Sequence, residues 1–148
     1  MKDSQPNRYR DSISRVEDQV FIALQHLPSL YTAARGTLWR EQIENLAGSP
    51  FRYKPDFEVT DQRGRKLFIE VKSERAMTLP NMIHFSAIND MFRHRPDTRF
   101  MVLVWGNILT TSKFSSFPEF QNLYIEHAEN DYEARGCVLR VFESAFDR

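Results

Sequence analysis

The sequence predicts an α/β fold, a central mixed β-sheet flanked by helices in the order αβββαβ, and three observations carry that prediction. Apolar residues at helical spacing open the chain, a hairpin pattern occupies its middle, and a second helical pattern precedes a run that is apolar on both alternating faces. With 148 residues and 41% hydrophobic content, the chain is long enough for one compact core and short for two. Residues 11–148 therefore read as a single domain behind a flexible polar start, 1–10.

Ile13, Val16, Val20, Ala23, Leu24 and Leu27 recur at three- and four-residue steps, so a helix is expected over Ile13–Leu27, with Pro28 marking its end. Gly36 to Glu44 is the expected first strand. Tyr53–Asp61 and Arg65–Ser73 are rich in β-branched and aromatic residues around Asp61-Gln62-Arg63-Gly64, which predicts a β-hairpin. Pro80 suits a first helical position, and Met82, Ile83, Ala87, Ile88, Met91 and Phe92 carry a helical period to His94, where Pro96 blocks continuation. Phe100–Trp105 reads as a central strand covered on both sides. A short strand near Leu123–Glu126, a polar helix or loop over His127–Arg135 and a last strand over Cys137–Phe142, with Cys137 in its packing, complete the expectation.

Several classes of function drop out on composition. The longest apolar run is well short of the roughly 20 residues that cross a bilayer, and the start lacks the apolar stretch of a signal peptide, so a cytoplasmic protein without a membrane partner is expected. One cysteine cannot form an internal disulfide, and His26, His84, His94 and His127 show no zinc spacing. No glycine-rich phosphate loop and no serine-centred nucleophile elbow is present, which excludes the common routes to NTP hydrolysis and acyl transfer. Lys plus Arg number 20 and Asp plus Glu 20, and a net charge of zero argues against tight autonomous nucleic-acid binding. Acidic metal ligands that offset basic phosphate contacts, or a partner subunit that delivers the substrate, would reconcile that balance with a nuclease.

The chemistry concentrates in Lys66-Leu67-Phe68-Ile69-Glu70-Val71-Lys72. A side-chain period of two puts Leu67, Ile69 and Val71 on one face and Phe68, Glu70 and Lys72 on the other. If the turn pairs Thr60 with Lys66, the antiparallel register sets Asp56 opposite Glu70. Two carboxylates held close repel unless a cation lies between them, and hard oxygen ligands that leave room for water suit magnesium. Such an ion would neutralise a phosphate and activate water, while Lys72 would orient or deprotonate the nucleophile or stabilise the transition state. Glu17 falls inside the apolar stripe of the first helix, so it needs a partner, either a metal with its water shell or an arginine from the core.

Pro55-Asp56 followed, fourteen positions after the aspartate, by Glu70-Val71-Lys72 resembles the PD-(D/E)XK motif of the restriction-endonuclease-like superfamily, over about Ile13–Trp105. A helical glutamate, Arg40-Glu41-Gln42, Tyr53-Lys54-Pro55-Asp56-Phe57 and Phe68-Ile69-Glu70-Val71-Lys72 together are similar to the TnsA-like endonucleases of transposition systems. The resemblance implies a restriction-endonuclease-like core, catalytic Glu17, Asp56, Glu70 and Lys72, and a Mg2+ site, with Mn2+ as a substitute, drawn from Glu17, Asp56, Glu70 and Val71. Lys54, Arg75 and Gln42 are the expected DNA contacts, and Arg52, Arg93, His94 and Arg95 are further phosphate candidates.

A metal-dependent DNA endonuclease leaving a 5′-phosphate follows from that resemblance. Its expected settings are transposition, phage DNA processing or defence, and its expected partners are a transposase or recombinase subunit, or a second copy of itself. No counterpart of the family's C-terminal helical domain is expected, and a stand-alone nuclease or a resolvase of branched DNA would use the same residues. The reading from a different class is a non-catalytic scaffold or DNA-binding subunit of a recombinase or defence complex.

Overall fold

A computed structural model of the chain describes residues 5–41, 51–106, 114 and 116–146, with side chains described over 14–38 and from 53 onward within those spans. Helix α1 runs Gln5–Leu24, followed by strands β1 (Tyr31–Arg35), β2 (Trp39–Glu41), β3 (Phe51–Tyr53), β4 (Phe57–Asp61) and β5 (Lys66–Ser73). Helix α2 (Leu79–Arg93), strand β6 (Thr98–Trp105), strand β7 (Tyr124–Ala128) and helix α3 (Asp131–Phe146) complete the chain.

Five strands form one mixed sheet in the order β1-β4-β5-β6-β7, and β2 pairs with β3 in a separate two-stranded ribbon. The first three strands of the large sheet are antiparallel, and β6 and β7 add parallel to β5. The hairpin forms in the predicted register, with Thr60 opposite Lys66 and Phe57 opposite Ile69. Its turn is held by Asp61, whose Oδ1 accepts the Arg63 and Arg65 amides at 3.0 and 2.9 Å, and by Gly64 at φ +81°, a conformation that L side chains resist.

The period of two in β5 sorts the core into two layers. Leu67, Ile69 and Val71 pack with Phe57, Val59, Met101 and Leu103 under α1 and α3. Phe68 points the other way and packs with Phe100, Val102 and Val104 under the α2 residues Met82, Phe85, Ile88 and Phe92. At about 1.5–3 kcal/mol for each large apolar side chain fully buried, these two layers are the main drive to fold. Helix α2 starts at the Thr78 cap, whose hydroxyl accepts the Asn81 amide at 3.4 Å, and carries Pro80 in its first turn.

Four expectations need correction. Helix α1 begins at Gln5, so residues 5–10, expected to be a flexible start, are helical. The first strand is Tyr31–Arg35 rather than Gly36–Glu44. It is an edge strand with only Tyr31 and Ala33 turned inward, which leaves little pattern to read, and the expected segment contributes β2 to the ribbon instead. Tyr53, expected in the hairpin, closes β3 of that ribbon. The expected strand over Cys137–Phe142 is part of α3. Its buried set, Ala134, Cys137, Val138, Val141 and Phe142, has the three- and four-residue steps of a helix, and Cys137 packs in the core from that helix. Among the described residues no helix is long and apolar enough to cross a membrane.

Candidate functional site

Asp56 lies one residue before β4 and is tied on both sides. Its amide donates to the Ile69 carbonyl at 3.1 Å, its carbonyl accepts the Gly36 amide at 2.9 Å, and its Oδ2 accepts the Val71 amide at 2.8 Å. The β4–β5 ladder ends at the pair Phe57–Ile69, and Asp56, just beyond it, is held beside Glu70 by these bonds to Ile69 and Val71 on either side. The approach to Gly36 requires glycine, because a Cβ there would overlap the Pro55 carbonyl oxygen.

Glu70 shares the α2-facing side of β5 with Lys72. Its Oε2 accepts the Tyr53 hydroxyl at 2.7 Å and its Oε1 lies 3.4 Å from Lys72 Nζ. Tyr53 is buried, its ring edge-on to Phe100 and tilted against Phe92, so β3 delivers a fixed hydroxyl to the strand that carries the acid. Lys72 Nζ sits 5.9 Å from the Phe85 ring centroid, which holds the ammonium over α2.

Glu17 projects from α1, in the other layer. Among the described residues its carboxylate has no hydrogen bond and no ion pair. Arg35, a half-exposed arginine on the rim of the same cleft, reaches Asp18 Oδ1 instead, at 2.8 Å. Glu17, Arg35, Gly36, Lys54, Pro55 and Asp56 line one cleft of about 250 Å³.

All three carboxylates are pushed above the ordinary carboxylate range. Burial is the leading cause in each, and the Asp56 charge raises Glu17 and Glu70 further. Arg35 and Lys72 pull Glu17 and Asp56 back, and the Val71 amide also pulls Asp56 back. Asp56 is thus the electrostatic junction between an acid on the helix and an acid on the neighbouring strand. Burial and the Glu70 charge push the Tyr53 phenol up, so it stays protonated and remains a donor.

Among the described residues, no group of three or more His, Cys, Asp or Glu side chains is drawn together tightly enough to hold a metal ion as arranged. The chemistry of the donor set still fits a hard divalent cation. It supplies carboxylate oxygens from three separate elements, each destabilised in its charged form by burial and two of them by a like charge. Val71 can join only through its backbone, because its side chain lies in the core and its amide is given to Asp56.

The structure divides the expected nucleic-acid contacts. Lys54 is exposed on the rim of the cleft. Arg75 is exposed in the 3-10 turn Glu74–Ala76 just after Lys72 and does not line the cleft. Gln42 lies outside the described residues, and the Arg52 side chain is not among those described. Arg93, His94 and Arg95 do not line the cleft. They precede Thr98, which pairs with Lys66 at the start of β5, and six residues of strand, about 20 Å, separate that end from Lys72.

Tyr53, Arg35 and Gly36 are the site residues that sequence reasoning missed. Tyr53 reads as a strand aromatic until its ribbon is seen, and the other two depend on β1, which the apolar pattern does not reveal. The one signal available was the adjacency of Tyr53 to Lys54-Pro55-Asp56.

No family model matches the chain, and no curated protein matches it. Among solved structures, protein VC1899 from Vibrio cholerae is similar in fold, with a TM-score of 0.52 at 11% identity over 91% of this chain and 32% of that one. The chain spans about a third of the length of that protein, and at this identity the likeness concerns the fold alone.

Proposed function

We propose that the chain is a magnesium-dependent DNA endonuclease of the PD-(D/E)XK type, able to use manganese, that hydrolyses phosphodiester bonds to leave a 5′-phosphate. The observation that carries the reading is the hairpin register. It ends beside Asp56, whose amide and Oδ2 bond to Ile69 and Val71 on either side of Glu70, with Lys72 Nζ 3.4 Å from Glu70 Oε1 and the Asp56 charge felt by Glu17.

In this reading Asp56, Glu70 and Glu17 hold the ion, with the Val71 backbone beside them. The ion, when bound, supplies positive charge against the phosphate and acidifies a water. Lys72, fixed between Glu70 and the Phe85 ring, orients the attacking water and donates to the developing charge on the phosphate. Tyr53 keeps the Glu70 carboxylate in one orientation. Lys54 contributes a phosphate contact from the rim of the cleft, and Arg75 extends the basic surface beyond it. TnsA-like work in transposition, phage DNA processing, defence against foreign DNA or resolution of branched DNA would all use this arrangement. A recombinase subunit or a second copy would supply the other cut.

A specific observation favours a second reading. Glu70 is satisfied as it stands by Tyr53 and Lys72, and the net charge is zero, as suits a non-catalytic scaffold or DNA-binding subunit of a recombinase or defence complex. Incubating the purified chain with supercoiled, linear and branched DNA in magnesium or manganese, beside Asp56→Ala and Lys72→Ala, separates the two. The endonuclease reading expects cleavage that both variants lose. No cleavage of any substrate with either metal, or cleavage that both variants keep, would overturn it in favour of the scaffold.

A further inference from the structure

We infer that Arg35 is a phosphate-gripping residue of the cleft, binding a DNA phosphodiester opposite Lys54, and that Asp18 competes with the phosphate for its guanidinium. The inference rests on the endonuclease reading and adds to it a substrate contact and a carboxylate that restrains it.

Arg35 ends the edge strand β1, and its backbone pairs with Phe57. Its guanidinium carbon lies 4.6 Å from the Phe21 ring centroid and 5.7 Å from that of Phe57. Those two rings stack at 6.1 Å, so the side chain rests on an aromatic shelf rather than sampling solvent. Among the described residues its one side-chain hydrogen bond runs from Nη2 to Asp18 Oδ1 at 2.8 Å, which leaves the rest of the planar fork available. A guanidinium held flat with open donors matches the paired oxygens of a phosphate.

The position is also right. Arg35 and Lys54 line the same cleft as Asp56 and Glu17, and the Arg35 charge reaches both acids. Gly36 keeps the cleft floor low, because the Pro55 carbonyl occupies the space its side chain would take. Arg35 is half exposed and its partner Asp18 more so, at 50% and 67% of their side chains, so a phosphate reaching the cleft can replace Asp18 without opening the core. An arginine present only to offset the acids would gain more from Glu17, which among the described residues has no hydrogen bond or ion pair, than from the exposed Asp18.

The test uses the full chain with a short fluorescein-labelled DNA duplex, in calcium in place of magnesium so that the substrate stays intact, with anisotropy read across a salt series. Arg35→Met is expected to weaken binding about tenfold and to lower the slope of log affinity against log salt by about one, as loss of one phosphate contact requires. Asp18→Asn is expected to tighten binding severalfold, well beyond the gain from the same loss of charge at the exposed Glu143 in Glu143→Gln, which an ion pair without a role in binding would only equal. It also keeps the test decisive if Arg35→Met folds poorly. Wild-type affinity in Arg35→Met and a gain in Asp18→Asn no larger than in Glu143→Gln, while Asp56→Ala and Lys72→Ala abolish cleavage, would overturn the role of Arg35 and leave the nuclease standing. Absence of DNA binding and of cleavage in the wild type would overturn both.

Discussion

The Tyr53 hydroxyl donates a 2.7 Å hydrogen bond to Glu70 Oε2, across from the two-stranded ribbon to the central strand of the large sheet. Tyr53 is two residues before Pro55, so the ribbon that orients one acid also delivers the segment carrying the other. Tyr53→Phe removes one oxygen and keeps the ring against Phe92 and Phe100. A hydrogen bond to a charged group contributes about 1.5–3 kcal/mol, so chemical denaturation should read a loss of about 2 kcal/mol. Loss of an outer-shell partner typically lowers metal affinity or activity at least about tenfold, and a magnesium titration should show it. Unchanged magnesium affinity would reduce Tyr53 to a packing residue.

The raised carboxylates make a signed prediction about pH. A carboxyl group whose folded pKa lies above its unfolded value binds more protons in the native state, so stability falls as pH rises through that interval and is recovered on acidification. Glu17, Asp56 and Glu70 all act in this sense. Asp61 acts in the opposite one. Burial alone would raise it, but the Arg65 side-chain and backbone hydrogen bonds outweigh burial and hold it low, so its contribution is lost as pH falls below the ordinary carboxylate range. The chain free of divalent ions should therefore melt higher just above the ordinary carboxylate range than at neutral pH, and lower again in stronger acid. Magnesium at neutral pH should raise the melting temperature by mass action. A melting temperature indifferent to magnesium from acid to neutral pH would remove the ion from the site.

Much of this arrangement is legible in the sequence. The turn Asp61–Arg65 defines the register from Thr60–Lys66 to Phe57–Ile69 and the period of two defines the faces, while Asp56 reaches the side of Glu70 through its own bonds to Ile69 and Val71. Glu17 was legible as a charged interruption of an apolar stripe. Arg35 and Gly36 were not, because β1 is an edge strand with two inward residues, and an edge has too few buried positions to leave a period. The α3 segment was misread because in Cys137-Val138-Leu139-Arg140-Val141-Phe142 the apolar pairs of a helix look like the near-continuous run of a buried strand until Ala134 is added to the pattern.

Gly36 gives a prediction of the opposite kind, a steric change that alters no charge. In Gly36→Ala the new Cβ would overlap the Pro55 carbonyl oxygen, and both partners are backbone, so neither can swing aside. The Gly36 amide also donates to the Asp56 carbonyl at 2.9 Å, and any shift is passed directly to Asp56. A cost of about 1–3 kcal/mol is expected for such overpacking, with cleavage reduced far more than stability because the acid itself moves. Thermal melts beside a cleavage assay check it. Full activity in a folded Gly36→Ala chain would mean that the Asp56 loop tolerates displacement.

Asp56→Asn should separate stability from function. The replacement keeps an oxygen to accept the Val71 amide, which lies 2.8 Å from the native Oδ2, and removes the charge that raises Glu70 and Glu17. Relief of that repulsion should make the chain free of divalent ions more stable than wild type at neutral pH, and the pH dependence of its stability should flatten, because two of the three raised carboxyls lose one of their causes and the third is gone. The same change removes an anionic oxygen from the proposed ion site, so the stabilisation by magnesium should shrink and cleavage should fall to background. Calorimetry with and without magnesium reads both effects in one experiment. A variant less stable than wild type without metal would mean that the Asp56 carboxylate is compensated in the resting protein, which would take away the repulsion that argues for a cation between the acids.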